Sequence, residues 1–248
     1  MKSNSRFLHH TSCPDCGSSD ALAVYEDGSE FCFSEHKLKK RSNMSGYVLQ
    51  RKQEEDESVL ALPDDLSKEY SQEAVEWAAK YGVKVSDLIA SKVFFSKRLN
   101  QLIYVYQFMD KPSIGCIQGR NFTPGRTKYF NIGDTHKVFP VYHYTNPGDC
   151  SRIVLVEDAL SAIKIASNVW VDAMPLLGSS LPMHKLTEFR KRHYEHVTVW
   201  LDHDKYEAAL AIQEKLKFLG LTVNVVRTDL DPKCYSPDEI ARKLDLVC

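Results

Sequence analysis

Ile153-Val154-Leu155-Val156-Glu157-Asp158 and Val197-Thr198-Val199-Trp200-Leu201-Asp202-His203-Asp204 decide the reading of this chain. Each is an apolar run of strand length that stops abruptly at carboxylates. A third run, Val223-Asn224-Val225-Val226, leads to Asp229-Leu230-Asp231-Pro232-Lys233. Between them the pattern changes to that of helices: Asp158 to Ala166, a helix ending near Tyr194 after the turn Pro175-Leu176-Leu177-Gly178-Ser179-Ser180, and Tyr206 to Leu219, stopped by Gly220. Val169-Trp170-Val171 reads as one further extended piece and Leu221 to Val226 as the last strand. Such alternation predicts a parallel α/β sheet with helices on its faces.

Open sheets of this kind place their chemistry at the carboxyl ends of the strands. Glu157, Asp202, Asp204 and Asp231 are therefore expected to gather there, with Asp229 or Asp238 as substitutes for Asp231. On an extended strand end, Asp202 and Asp204 point to the same side, because side-chain direction repeats every second residue. Their repulsion would be relieved by a hard cation, Mg2+ or Mn2+, which can also carry the phosphates of a nucleotide or nucleic acid. Plainer roles compete: Glu157 as a first-turn residue favoured by the helix dipole, Asp158 as a helix cap, Asp231 as part of an ordinary Asp-Pro turn. Gly178 either lets the backbone approach a phosphate or the acidic loop closely, or simply makes a tight turn.

Upstream, Val93 to Tyr144 carries short alternating runs punctuated by Pro112, Pro124-Gly125 and Gly133-Asp134, which predicts a small sheet. From Lys92 to Lys137, eight basic residues face only Asp110 and Asp134, so this segment suits a polyanion although the whole chain carries a net charge of −1. Helices are expected over Ser71 to Tyr81, stopped by Gly82, and over Val83 to Ala90.

Near the N-terminus, Cys13-Pro14-Asp15-Cys16, Cys32 and His36 have the spacing of a tetrahedral Zn2+ site; His9, His10 and Glu35 are alternatives for the fourth ligand. A segment this short and polar needs such a clasp to fold, and four ligands make the zinc structural. Residues 39–60, mixing Lys-Lys-Arg with Gln-Glu-Glu-Asp-Glu, read as a tether. With 248 residues, 43% of them hydrophobic, and only strand-length apolar runs, neither a signal peptide nor a membrane span is expected, and seven unevenly spread cysteines suit a soluble protein of a reducing compartment.

The ordered set Cys13-Pro14-Asp15-Cys16-Gly17-Ser18-Ser19-Asp20, Cys32, Glu157, Gly178, Asp202-His203-Asp204 and Asp231-Pro232-Lys233 resembles the DnaG-type bacteriophage DNA primases. The resemblance implies an α/β protein in four parts. These are a β zinc ribbon over 1–38, a linker over 39–62, a basic subdomain with a small mixed sheet over 63–150 and a Toprim metal-binding subdomain over 151–248. It further implies that Glu157 is the Toprim glutamate, that Asp202 and Asp204 are the Asp-x-Asp ligands of Mg2+ or Mn2+, and that Asp231 is the further acidic residue. Arg120, Arg126 and Lys128, in Gly119-Arg120-Asn121-Phe122-Thr123-Pro124-Gly125-Arg126-Thr127-Lys128, resemble the segment that grips template and nucleotide; Lys164 is counted with them and with Gly178.

The implied activity is synthesis of RNA primers from ribonucleoside triphosphates on single-stranded DNA, in the cytoplasm of an infected bacterium, beside a separate replicative helicase and a DNA polymerase. A Toprim nuclease or topoisomerase-like protein and a non-catalytic zinc adaptor are the rival readings. The chain departs from the family pattern where Asp158 replaces the usual glycine, where no cysteine follows Cys32 by three residues, and where the helicase phosphate loop has no counterpart.

Overall fold

The computed structural model describes residues 7–13, 18, 21–25, 29–33, 37–40, 60–143, 151–178 and 180–246. The chain divides into two compact units, Met1–Glu57 and Ser58–Cys248.

In the first unit β1 (Phe7–Thr11), β2 (Leu22–Tyr25), β3 (Glu30–Cys32) and β4 (Lys37–Lys40) form a sheet in that order, every pairing antiparallel. Its buried cluster consists of Cys13, Ala21, Leu22 and Cys32. Among the described residues this is a small core for four strands.

The second unit begins with β5 (Leu66–Ser67), α1 (Gln72–Lys80), α2 (Val85–Ala90), β6 (Phe94–Ser96), β7 (Gln101–Gln107), β8 (Ile114–Asn121) and β9 (Tyr129–Gly133). Ser71 caps α1 by accepting from the Ala74 amide at 3.2 Å, and Gly82, at φ +71°, turns the chain out of it. The five strands pair in sequence order and antiparallel throughout. The mixed sheet expected here is thus corrected: from β6 to β9 short connections return the chain alongside itself, whereas a parallel pair needs a long crossover, and β5 also pairs antiparallel although α1 and α2 lie between it and β6.

Next come β10 (Arg152–Val156), α3 (Ala159–Asn168), β11 (Asp172–Pro175), α4 (Met183–Lys191), β12 (His196–Val199), α5 (Tyr206–Phe218), β13 (Thr222–Val225) and α6 (Pro237–Lys243). The sheet runs β11-β10-β12-β13 and is wholly parallel. Alternation along β10 builds a core on each face. Ile153 and Leu155 join Leu186, Phe189, Ile212 and Leu216 from α4 and α5, while Val154 and Val156 join Ala162, Ile165 and Ile240 from α3 and α6. Each fully buried aliphatic side chain of this kind contributes about 1.5–3 kcal/mol. A further cluster packs Ala159, Leu160 and Ile163 of α3 against Leu102, Tyr104 and Tyr106 of the antiparallel sheet.

Two local expectations fail. Val169-Trp170-Val171 is the exit from α3: Val169 is its C-cap, Trp170 is left-handed at φ +59° and 72% exposed, and the strand starts at Asp172. Likewise β12 ends at Val199, and Asp202 begins a 3-10 turn over His203–Lys205. Among the described residues no helix is long and apolar enough to cross a membrane.

Candidate active site

Glu157 follows β10 directly, Asp202 stands three residues beyond β12 and Asp231 six beyond β13, so all three lie past the carboxyl ends of parallel strands. Their arrival is secured by packing further back. Trp200, fully buried, donates Nε1–H to Thr228 Oγ1 at 2.8 Å, and its ring lies 5.7 Å from that of Tyr235. One indole thereby ties the approach to Asp202 to the loop that carries Asp231.

The carboxylates act on one another. Glu157 is pushed up from the ordinary range, first by burial and then by Asp204, Asp158 and Asp231, against the opposing charge of Lys205. Burial, with Asp231, Glu157 and Asp158, lifts Asp202 to about 7, and Lys233 opposes the shift. Glu157 Oε2 and Asp202 Oδ1 are buried and lack a hydrogen-bond partner. Inward-facing acceptors without donors, on carboxyls that resist ionisation, suit a hard cation.

Asp204 is placed differently. The 3-10 turn breaks strand alternation, so the two-residue repeat does not set its direction; it is exposed and ion-paired to Lys205 at 2.9 Å, which holds its pKa low. Asp158 caps α3, Oδ1 accepting from the Ser161 amide at 3.0 Å and Oδ2 from the Ser161 hydroxyl at 2.7 Å. Lys233, which sequence reasoning passed over, donates to Asp158 at 2.9 Å and to Asp231 at 2.8 Å. Burial opposes its charge, yet the two carboxylates prevail and hold its pKa above that of an ordinary lysine. The visible signal was a lysine following two of the three acidic motifs, at Asp204-Lys205 and Asp231-Pro232-Lys233. Among the described residues no three His, Cys, Asp or Glu side chains are arranged around a common point as metal ligands.

The basic candidates separate into two kinds. Arg126 and Lys128 are exposed on the connection between β8 and β9. Arg120 is turned inward, its guanidinium 5.1–5.2 Å from the rings of Trp77, Phe122 and Tyr129, and it donates to Asn121 O at 2.6 Å. Lys164, counted among the nucleotide contacts, is 4% exposed and donates Nζ–H to Lys233 O at 2.9 Å, so as it stands its ammonium serves the protein backbone. Burial lowers its pKa, as it does for any ammonium held out of water. A Cβ at Gly178 would meet nothing, so neither packing nor a left-handed φ demands glycine there. Tyr129 on β9 feels Asp158, Arg120 and Lys233, which brings the end of the antiparallel sheet to the acidic cluster.

Of the zinc candidates, Cys13 and Cys32 are buried together. Cys16, His36 and the alternative Glu35 lie outside the described residues, while His9 and His10 are exposed on β1.

No family model matches the sequence, and no curated protein matches it. Solved structures do. A DnaG primase catalytic domain bound to single-stranded DNA is 14% identical, with 70% of this chain and 71% of that one covered at a TM-score of 0.55. A DnaG catalytic core is 15% identical over 69% of each chain, TM-score 0.52. The E. coli primase catalytic core is 15% identical over 68% of each, TM-score 0.50. Over roughly that share of its length, this chain has the fold of the DnaG-type primase catalytic core.

Proposed function

We propose that the protein is a DNA primase, making short RNA primers from ribonucleoside triphosphates on a single-stranded DNA template. What carries the reading is that Glu157, Asp202 and Asp231 lie past the ends of parallel strands and bear on one another's charge, with buried oxygens of Glu157 and Asp202 left without donors. The primase-core fold supports it.

Glu157 and Asp202 would hold Mg2+ or Mn2+ in a Toprim subdomain, with Asp204 joining once it leaves Lys205. That ion supplies positive charge against the triphosphate and the departing pyrophosphate. The chain's own residues do the rest. Arg126 and Lys128 engage template phosphates from an exposed connection, while Arg120 fixes the strand end from which it springs. The open space beside Gly178 admits a phosphate close to the backbone. Asp231 keeps Lys233 in the cluster. At the N-terminus Cys13, Cys16, Cys32 and His36 would hold a structural Zn2+ and present the ribbon to DNA. A separate helicase and a DNA polymerase would complete the replication machinery around it.

The test is product analysis on single-stranded templates with labelled ribonucleoside triphosphates and Mg2+ or Mn2+. Oligoribonucleotides are expected, and Glu157→Gln or Asp202→Asn should lower their yield by about 100-fold or more while template affinity stays within about twofold. Absence of product, even with the cognate helicase added, refutes the reading. Nicking of DNA without nucleotides would favour a Toprim nuclease instead.

A further inference from the structure

The acidic cluster contains a cation of its own. Lys233 Nζ lies 2.8 Å from Asp231 Oδ2 and 2.9 Å from Asp158 Oδ2, with its side chain 12% exposed. Its backbone is held too. Pro232 is buried at the start of the turn, the Cys234 amide donates to Asp231 O at 2.9 Å, and buried Lys164 donates to Lys233 O at 2.9 Å. The ring of Tyr81 stands 5.8 Å from Nζ. Lys205, by comparison, pairs with Asp204 from a side chain 38% exposed, next to it in sequence.

This divides the carboxylates into two groups. Asp158 and Asp231 are satisfied: Asp158 accepts from the Ser161 amide and hydroxyl as well as from Lys233, and Asp231 accepts from Lys233. Glu157 and Asp202 each keep a buried oxygen with no donor. A dication seated on Asp231 would have to dislodge an ammonium whose backbone is fixed, and would face its positive charge at short range. Two-metal sites place their ions about 3.5–4 Å apart on shared carboxylates, and an ammonium already paired with Asp158 and Asp231 competes with any second ion for those two carboxylates.

We propose that Lys233 is a tethered cation that fills the Asp158–Asp231 corner, so that the site accepts one divalent ion, on Glu157 and Asp202, and the protein itself supplies the second positive charge. The proposal rests on the metal reading given above.

Manganese titration of the zinc-loaded full chain, followed by the electron paramagnetic resonance of free Mn2+, tests both. The parent is expected to bind one Mn2+ per chain, Lys233→Arg one, Lys233→Gln two, and the double variant Glu157→Gln with Asp202→Asn none. One ion in both the parent and a folded Lys233→Gln protein overturns the role of Lys233 alone. No ion in the parent, or undiminished binding in the double carboxylate variant, overturns the metal reading and the proposal with it. Should Lys233→Gln fail to fold, parent crystals soaked in Mn2+ decide. One anomalous peak at Glu157 and Asp202, with Lys233 still between Asp158 and Asp231, supports the proposal, and a peak on Asp231 overturns it.

Discussion

At Asp202, fold and chemistry pull in opposite directions. Burial lifts its carboxyl from 3.8 to about 7. An acid whose folded pKa is raised holds a proton in the native state that it has lost in the unfolded one, so stability falls as pH rises from about 4 and the loss is complete above about 7. In Mg2+-free, zinc-loaded protein, Asp202→Asn removes the penalty. With allowance for solvent screening at this half-exposed position, the variant should be about 1–2 kcal/mol more stable than the parent at pH 8, with little difference near pH 4. Mg2+ should reverse the order at pH 8, because it stabilises only a protein that still binds it. Urea unfolding at both pH values, with and without Mg2+, measures this. An Asp202→Asn protein less stable than the metal-free parent at pH 8 would show that the carboxylate is satisfied by the protein itself.

The connection between β8 and β9 shows how an element can be held so that its cations remain available. Asn121, 7% exposed, accepts from Gln101 Nε2 at 2.5 Å and donates to Thr127 O at 2.8 Å, while its amide donates to Lys128 O at 2.8 Å. Asn121→Leu would leave the Gln101 amide and the Thr127 carbonyl unpaired, at a cost of about 1–3 kcal/mol. Because it disorders the connection without removing charge, it should weaken single-stranded DNA binding while leaving the slope of log affinity against log salt nearly unchanged. Replacing Arg126 and Lys128 by alanine should instead flatten that slope by about 1–2. An unaltered slope in the double alanine variant would remove these cations from the interface. The elements were largely legible in sequence because long apolar runs and helical periodicity carry strong local signals: the order of β10, α3, β12, α5 and β13 reads directly. Their ends were not. Trp170 takes a left-handed conformation that ends a helix where β propensity suggested a strand, and the turn at His203–Lys205 overrides alternation as soon as the ladder stops. That Glu157, Asp202 and Asp231 lie beyond strand ends was legible from the apolar runs before them, but the Lys233–Asp158 pair spans 75 residues, and a contact so distant leaves no local trace.

At the scale of the whole molecule, the units differ in what holds them together. Ser58–Cys248 has three buried clusters, whereas Met1–Glu57 has one, built on Cys13, Ala21, Leu22 and Cys32 among the described residues. Given the small core among the described residues, the proposed Zn2+ should contribute about 10–16 kcal/mol to the first unit, on the scale of small zinc domains. The second unit has no such need. Chelation of Zn2+ should therefore release about one ion per chain and collapse the amide dispersion of residues such as Ala23 and Phe31, while the thermal transition of Ser58–Cys248 shifts by less than about 2 °C. Cys16→Ser should reproduce the chelated state, since loss of a thiolate opens the tetrahedral shell. Nuclear magnetic resonance and calorimetry on the full chain report the two effects separately. If chelation instead melts both units together, the second unit depends on the first for its stability; if Ala23 and Phe31 keep their dispersion, the four strands stand without zinc and the ligand assignment falls.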